Sequence, residues 1–212
     1  MAGIKRGLIE TALDEWDFFG RSTRRLDGRW DVAGDEKDEP YKSRVGLYWR
    51  AVGRPELDGG SDEPWSAAFI SWCFATAGAG AAFAGHDTHS VYIDRIRRHD
   101  GMSPAFVLAP PASAPLAPGD LIWNSRWESE GEDAQAPKSF EAALAELEAG
   151  NFFPSHVDIV VAVGAGRCDS IGGNVSNRDP GGSVTRSTWR LAADRTIADP
   201  RKSWIGVVRN GL

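Results

Sequence analysis

A histidine at a strand start, a serine at the first turn of a helix and an asparagine at the end of the following strand are the parts of a nucleophilic site. This chain holds all three as Ser66, His156 and Asn174. In HVDIVVAV, residues 156–163, strict alternation puts Val157, Ile159, Val161 and Val163 on one face. That face is core. The other carries His156, Asp158, Val160 and Ala162. A lone histidine there need have no role, but the next strand changes its meaning. A hairpin through Gly164, Ala165 and Gly166 returns CDSIGGN so that Asn174 ends beside His156. An amide next to an imidazole can fix its tautomer and its orientation. Gly172 and Gly173 either admit a close backbone approach or form a plain turn. Asp158 shares the face of His156, where it either tunes or contacts what the imidazole handles, or is the solvated end of that face.

The serine stands in DEPWSAAFISW, residues 62–72, where a proline and a tryptophan precede a small polar residue and an apolar helical run. A helix N-terminus can hold a thiolate, but it cannot ionise a hydroxyl, so a serine there must give its proton to a base during attack. Two readings of Ser66 stay open: a nucleophile served by His156, or a residue that caps or packs the helix start. Cys73 lies about 10 Å further along the same helix, away from its positive end, and belongs to the core. Cys168 sits at the far end of its strand from Asn174. Two cysteines make no disulfide framework, and both are expected free and buried. His89, in the helix start THSVYI, is a substrate contact, an alternative base or simply a polar residue at a helix end. No His/Cys spacing suited to a metal is present, and no metal or cofactor is expected.

These residues must be positioned by helices that come first and strands that come last. Apolar stripes predict helices over 4–20, 41–52, from Trp65 to about residue 77, and from Thr88 to about His99. Residues 21–36 and 53–63 read as loops. Residues 106–108 are short and apolar, and strands are expected at 121–123, 156–163, 167–172, 183–190 and 203–209. Residues 124–154, acidic at first and then helical near 139–149, read as an insertion with a lid over a cleft as one role. The order is that of an α+β fold with an antiparallel sheet.

The 212 residues suit one domain, and 42% hydrophobic with 25% charged residues is the balance of a soluble globular protein. A net charge of −6 argues against nucleic acid as a partner. No apolar run approaches the length of a membrane span, and the N-terminus has no apolar signal region, so synthesis in the cytoplasm is expected, with any export by a signal-independent route. Nine tryptophans are many; Trp65 and Trp123 are candidates to line a substrate groove.

Four motifs stand in order: Pro64-Trp65-Ser66-Ala67-Ala68-Phe69, Pro118-Gly119-Asp120-Leu121, Ser155-His156-Val157-Asp158-Ile159-Val160-Val161 and Gly172-Gly173-Asn174. Together they resemble the CHAP and NlpC-type superfamily of papain-like amidases and endopeptidases, and more narrowly an uncharacterised bacterial branch whose helix reads Pro-Trp-Ser-Ala-Ala-Phe-Ile-Ser. The likeness covers residues 61–212 apart from the insertion and leaves 1–60 as an N-terminal helical extension, either completing the core or docking a protein partner. It implies a nucleophile helix on a small antiparallel sheet and metal-free hydrolysis of amide bonds in peptidoglycan peptides, or of another peptide or amide. The superfamily usually carries cysteine where this chain has Ser66. The alternative is a binding module on the same fold, without catalysis, holding the cell wall or a protein.

Overall fold

The computed structural model describes residues 2–126, 136–175 and 181–212. Their elements run α1 (Ala2–Phe18), β1 (Ser22–Arg24), β2 (Trp30–Asp31), α2 (Tyr41–Ala51), α3 (Ser66–Thr76), α4 (His89–Arg98), β3 (Phe106–Ala109), β4 (Leu121–Ser125), α5 (Phe140–Glu148), β5 (Ser155–Gly164), β6 (Arg167–Val175), β7 (Ser183–Arg190) and β8 (Trp204–Asn210). The class is α+β. One sheet takes the order β2-β1-β7-β6-β5-β4-β8-β3.

The sheet is mixed, where an antiparallel one was expected. Residues 22–24, inside the segment read as loop, lie parallel to Thr185–Ser187 of β7, while the other pairs are antiparallel. Strands of three and two residues are too short to show alternation. Their backbone pairing with an edge holds them, and that leaves no trace in side-chain pattern. The acidic part of the expected insertion, residues 127–135, lies outside the described residues; its helical part is α5.

Both faces of the sheet are covered. On the first, Leu8, Val45, Tyr48, Phe69, Ile70 and Phe74 from α1, α2 and α3 pack on Val157, Ile159 and Ile171. Helix α3 is apolar on nearly every side because it lies between other helices and the sheet. It presses so closely on β6 that a Cβ at Gly173 would fall 2.6 Å from the Trp65 ring and 2.7 Å from Phe69 Cβ. On the second face, Ile122, Val160, Cys168, Trp189 and Val207 are roofed by Ala114 and Leu116 from the Ala/Pro-rich segment, and by Leu191 and Ile197. The strand face that bears Asp158 is therefore not solvated. Among the described residues no helix is long and apolar enough to cross a membrane.

Candidate active site

Ser66 is the first residue of α3, and Trp65 before it caps the helix without a side-chain hydrogen bond. The ladder of α3 starts with Phe69 N–H to Trp65 O, so the N–H groups of Ser66, Ala67 and Ala68 belong to the open, positive end of the helix. The Ser66 hydroxyl is not turned back on that backbone. Its Oγ lies 2.9 Å from His156 Nδ1 and 2.9 Å from His89 Nε2. The residue is 5% exposed.

His156 is the second residue of β5, and its Nε2 lies 2.8 Å from Asp158 Oδ1. Two residues apart on one strand face, the pair meets through the pleat alone. Ser170 of β6 donates to Asp158 Oδ2 at 2.7 Å, and Trp189 of β7 donates its indole N–H to Ser170 Oγ at 2.8 Å. His89, the first residue of α4, sets its Nδ1 2.5 Å from the hydroxyl of Tyr92 on the next turn. The two imidazoles meet edge to face, with centroids 5.7 Å apart.

The direction of every proton in this chain follows from donor and acceptor chemistry. An indole only donates, so Ser170 Oγ accepts from Trp189 and spends its own hydrogen on Asp158. Burial alone would push the Asp158 carboxyl up. The imidazole of His156 and the hydrogen bonds from His156 and Ser170 outweigh it and hold the carboxyl below its usual range. An ionised Asp158 accepts from His156 Nε2–H, which leaves the Nδ1 lone pair facing Ser66. The Ser66 hydroxyl therefore donates to His156. It must then accept from His89, which carries its proton on Nε2 and takes the Tyr92 O–H at Nδ1.

Burial, then the neighbouring His156 and Arg126, push the His89 imidazole well below its ordinary value, so it is neutral. Burial, reinforced by the charge of Asp158, holds the Tyr92 phenol well above its own. The run from Tyr92 through His89, Ser66 and His156 to Asp158 has one polarity and no orphaned member.

Asn174, expected on His156, is elsewhere. Strand β6 loses register between Gly172 and Val175, and Asn174 adopts φ 55°. With its oxygen turned inward, its amide accepts from Trp65 Nε1 at 3.0 Å and from Trp65 N at 3.2 Å. It thus steadies the residue before Ser66, while Asp158 takes the second nitrogen of His156. The single indole hydrogen of Trp65 is shared between that amide and the buried Glu36 carboxylate.

Neither tryptophan lines a groove. Trp65 is 1% exposed among Phe19, Tyr48 and Phe69, and the buried Trp123 stacks on Phe153 at 5.7 Å. Their flat rings serve the core because they lie on the helix-facing side of the sheet. His89, read as a substrate contact, an alternative base or a polar helix-end residue, is buried and touches the candidate nucleophile itself. Both cysteines are free and buried. Burial raises the Cys73 thiol well above its normal value and, with nearby carboxylates, pushes Cys168 up to about 12.

Tyr92, Ser170 and Trp189 had no assigned part. Tyr92 carried a readable signal, one helical turn after His89. The other two needed the β5–β6–β7 register. Among the described residues no three histidines, cysteines or carboxylates are arranged to hold a metal.

Residues 13–210 match a family model described as an uncharacterized protein conserved in bacteria, DUF2272. The chain belongs to the DUF2272 family. The match spans every element of the site, from Glu36 through Ser66, His89, His156 and Asp158 to Trp189. No curated protein and no solved structure matches this DUF2272 chain.

Proposed function

We propose that this DUF2272 protein hydrolyses amide bonds in peptidoglycan peptides, with Ser66 as nucleophile, His156 as general base and Asp158 as the carboxylate that orients the base. One observation carries the reading: the Ser66 hydroxyl donates to His156 Nδ1 at 2.9 Å while Asp158 holds the opposite nitrogen at 2.8 Å. A serine that only capped its helix would turn to the backbone, and a binding module would need no base on its hydroxyl. The substrate class rests on the resemblance of the four motifs to the CHAP and NlpC-type amidases, as does a papain-like fold for residues 61–212.

In the proposed reaction Oγ attacks the carbonyl carbon as its proton passes to His156 Nδ1. The oxyanion forms near the open N–H groups of the α3 start. Collapse breaks the C–N bond, and the imidazolium protonates the departing amine, leaving an ester on Ser66. Water then gives a proton to His156 and attacks the ester. Release of Oγ returns that proton and frees the acid. Asp158 stays ionised throughout and stabilises the imidazolium.

The test is incubation with purified peptidoglycan, with soluble fragments followed by mass spectrometry. The parent releases fragments cut at one amide bond, and a folded Ser66→Ala variant releases none. Release that survives in the variant, or a parent that releases nothing, defeats the reading.

A further inference from the structure

We propose that His89 is a second catalytic histidine, acting on Ser66 Oγ as a hydrogen-bond donor and never as its base. This rests on the Ser66 reading. The two imidazoles touch the same oxygen at the same distance, 2.9 Å, but with opposite polarity. His156 offers a lone pair. His89 offers an N–H, because its other nitrogen is occupied by the Tyr92 hydroxyl at 2.5 Å. With Nε2 protonated and Nδ1 filled, His89 has no lone pair for the serine proton.

A hydroxyl in this position needs such a donor. The N-terminus of α3 would suffice to hold a thiolate, but a serine oxygen gains charge only while its proton is leaving. At that moment His156 has become a cation on one side. The His89 N–H already points at the oxygen from the other, in a buried site where a fixed dipole acts strongly. No reorganisation is required, since Tyr92 sets the tautomer beforehand.

The same donor serves the second half of the reaction. When the tetrahedral adduct of water collapses, the C–Oγ bond breaks and its electron pair goes to Oγ. His156 returns the proton to that oxygen, and His89 steadies the charge until it arrives. Neutrality is part of the device. An imidazolium at His89 would present N–H to both Tyr92 and Ser66 beside the His156 cation, and burial with His156 and Arg126 nearby opposes that charge.

The experiment uses an alkyl fluorophosphonate, which needs no knowledge of the natural substrate. Oγ bonds to phosphorus, fluoride leaves, and the serine proton goes to His156. Labelling at Ser66 is located by mass spectrometry and its rate measured against pH, with folding checked by thermal melting. His89→Phe, which keeps a ring but has no donor, is expected to lower the rate about 10²–10³-fold, the usual cost of a lost transition-state donor. His89→Gln, which restores an N–H, recovers at least tenfold of that loss, and Tyr92→Phe loses about tenfold by freeing the tautomer.

A parent that is not labelled at Ser66 overturns the proposed function and this inference with it. A labelled parent with a folded His89→Phe protein reacting within about threefold of it overturns the inference alone. So does a His89→Gln protein no faster than His89→Phe. If His89→Phe fails to fold, Tyr92→Phe decides, and a folded Tyr92→Phe protein that labels at the parental rate overturns the inference.

Discussion

A side chain at Gly172 would occupy the space of the Asp158 carboxylate: a Cβ there would lie 2.0 Å from Asp158 Oδ1 and 2.8 Å from His156 Nε2. The glycine is needed for room, not for backbone freedom. The two consecutive glycines of β6 therefore serve opposite faces. Gly172 admits the His156–Asp158 pair, and Gly173 admits Trp65 and Phe69 of the nucleophile helix. A two-residue word thus lets one strand touch both His156 and the helix that carries Ser66.

Gly172→Ala accordingly strikes the site before the fold. The buried pair must part or the strand must shift, at a cost of about 1–3 kcal/mol as for other overpacked sites. The expected result is a protein that melts several degrees lower and labels with fluorophosphonate at least 10²-fold more slowly, because His156 loses its orienter. Gly164→Ala, at the exposed end of β5 where a Cβ meets only Arg167 O at 4.0 Å, is the control and stays within about 0.5 kcal/mol of the parent. Equal labelling by Gly172→Ala and the parent would show that the pair is dispensable.

Asp158→Asn removes the terminal acceptor of the proton chain. His156 and Ser170 face different oxygens of Asp158, and an amide keeps an acceptor at only one of those two positions. If its NH2 turns to His156, the imidazole takes the other tautomer and points N–H at Ser66. Labelling is expected to fall about 10³–10⁴-fold, as when an orienting carboxylate is lost elsewhere. The variant also tests linkage. The folded carboxyl titrates below its unfolded range, so the parent has stability from Asp158 above about pH 4, the unfolded value, and loses it as pH falls through the folded one. Melting temperatures of parent and variant from pH 7 to pH 2 should converge in the acid limb. A constant gap would deny the linkage.

Much of this arrangement was legible because it rests on periodicity. Alternation in β5 put His156 and Asp158 on one face, and the apolar run after Trp65 put Ser66 at a helix start. What escaped depended on register and burial. The hairpin argument carried Asn174 back to His156 by assuming a regular ladder, but β6 breaks between Gly172 and Val175, so the amide swings to Trp65. The solvated-end reading of Asp158 stayed open beside the tuning one because nothing in an Ala/Pro-rich segment announces that Leu116 will roof the sheet. Trp65 and Trp123 had the composition of groove residues, yet the face of the sheet, not the residue type, decides whether a ring is wet.

Ser66→Cys asks whether the geometry suits a thiolate better than a hydroxyl. The new thiol would meet the open N–H groups of α3, the His89 donor and the His156 base, all of which favour the anion. A thiol lowered from about 8.5 to about 6 gains roughly 10²-fold in thiolate at pH 6, and lower nucleophilicity leaves about a tenth of that gain. Alkylation by iodoacetamide at pH 6 should then run about tenfold faster than for a model thiol. The protein supplies its own controls. Cys73 and Cys168 are buried with thiols held well above their normal range, so the folded variant should be alkylated at position 66 alone. A rate no faster than the model thiol would mean that Oγ and the two imidazoles do not share the environment on which both the nucleophile and its donor depend.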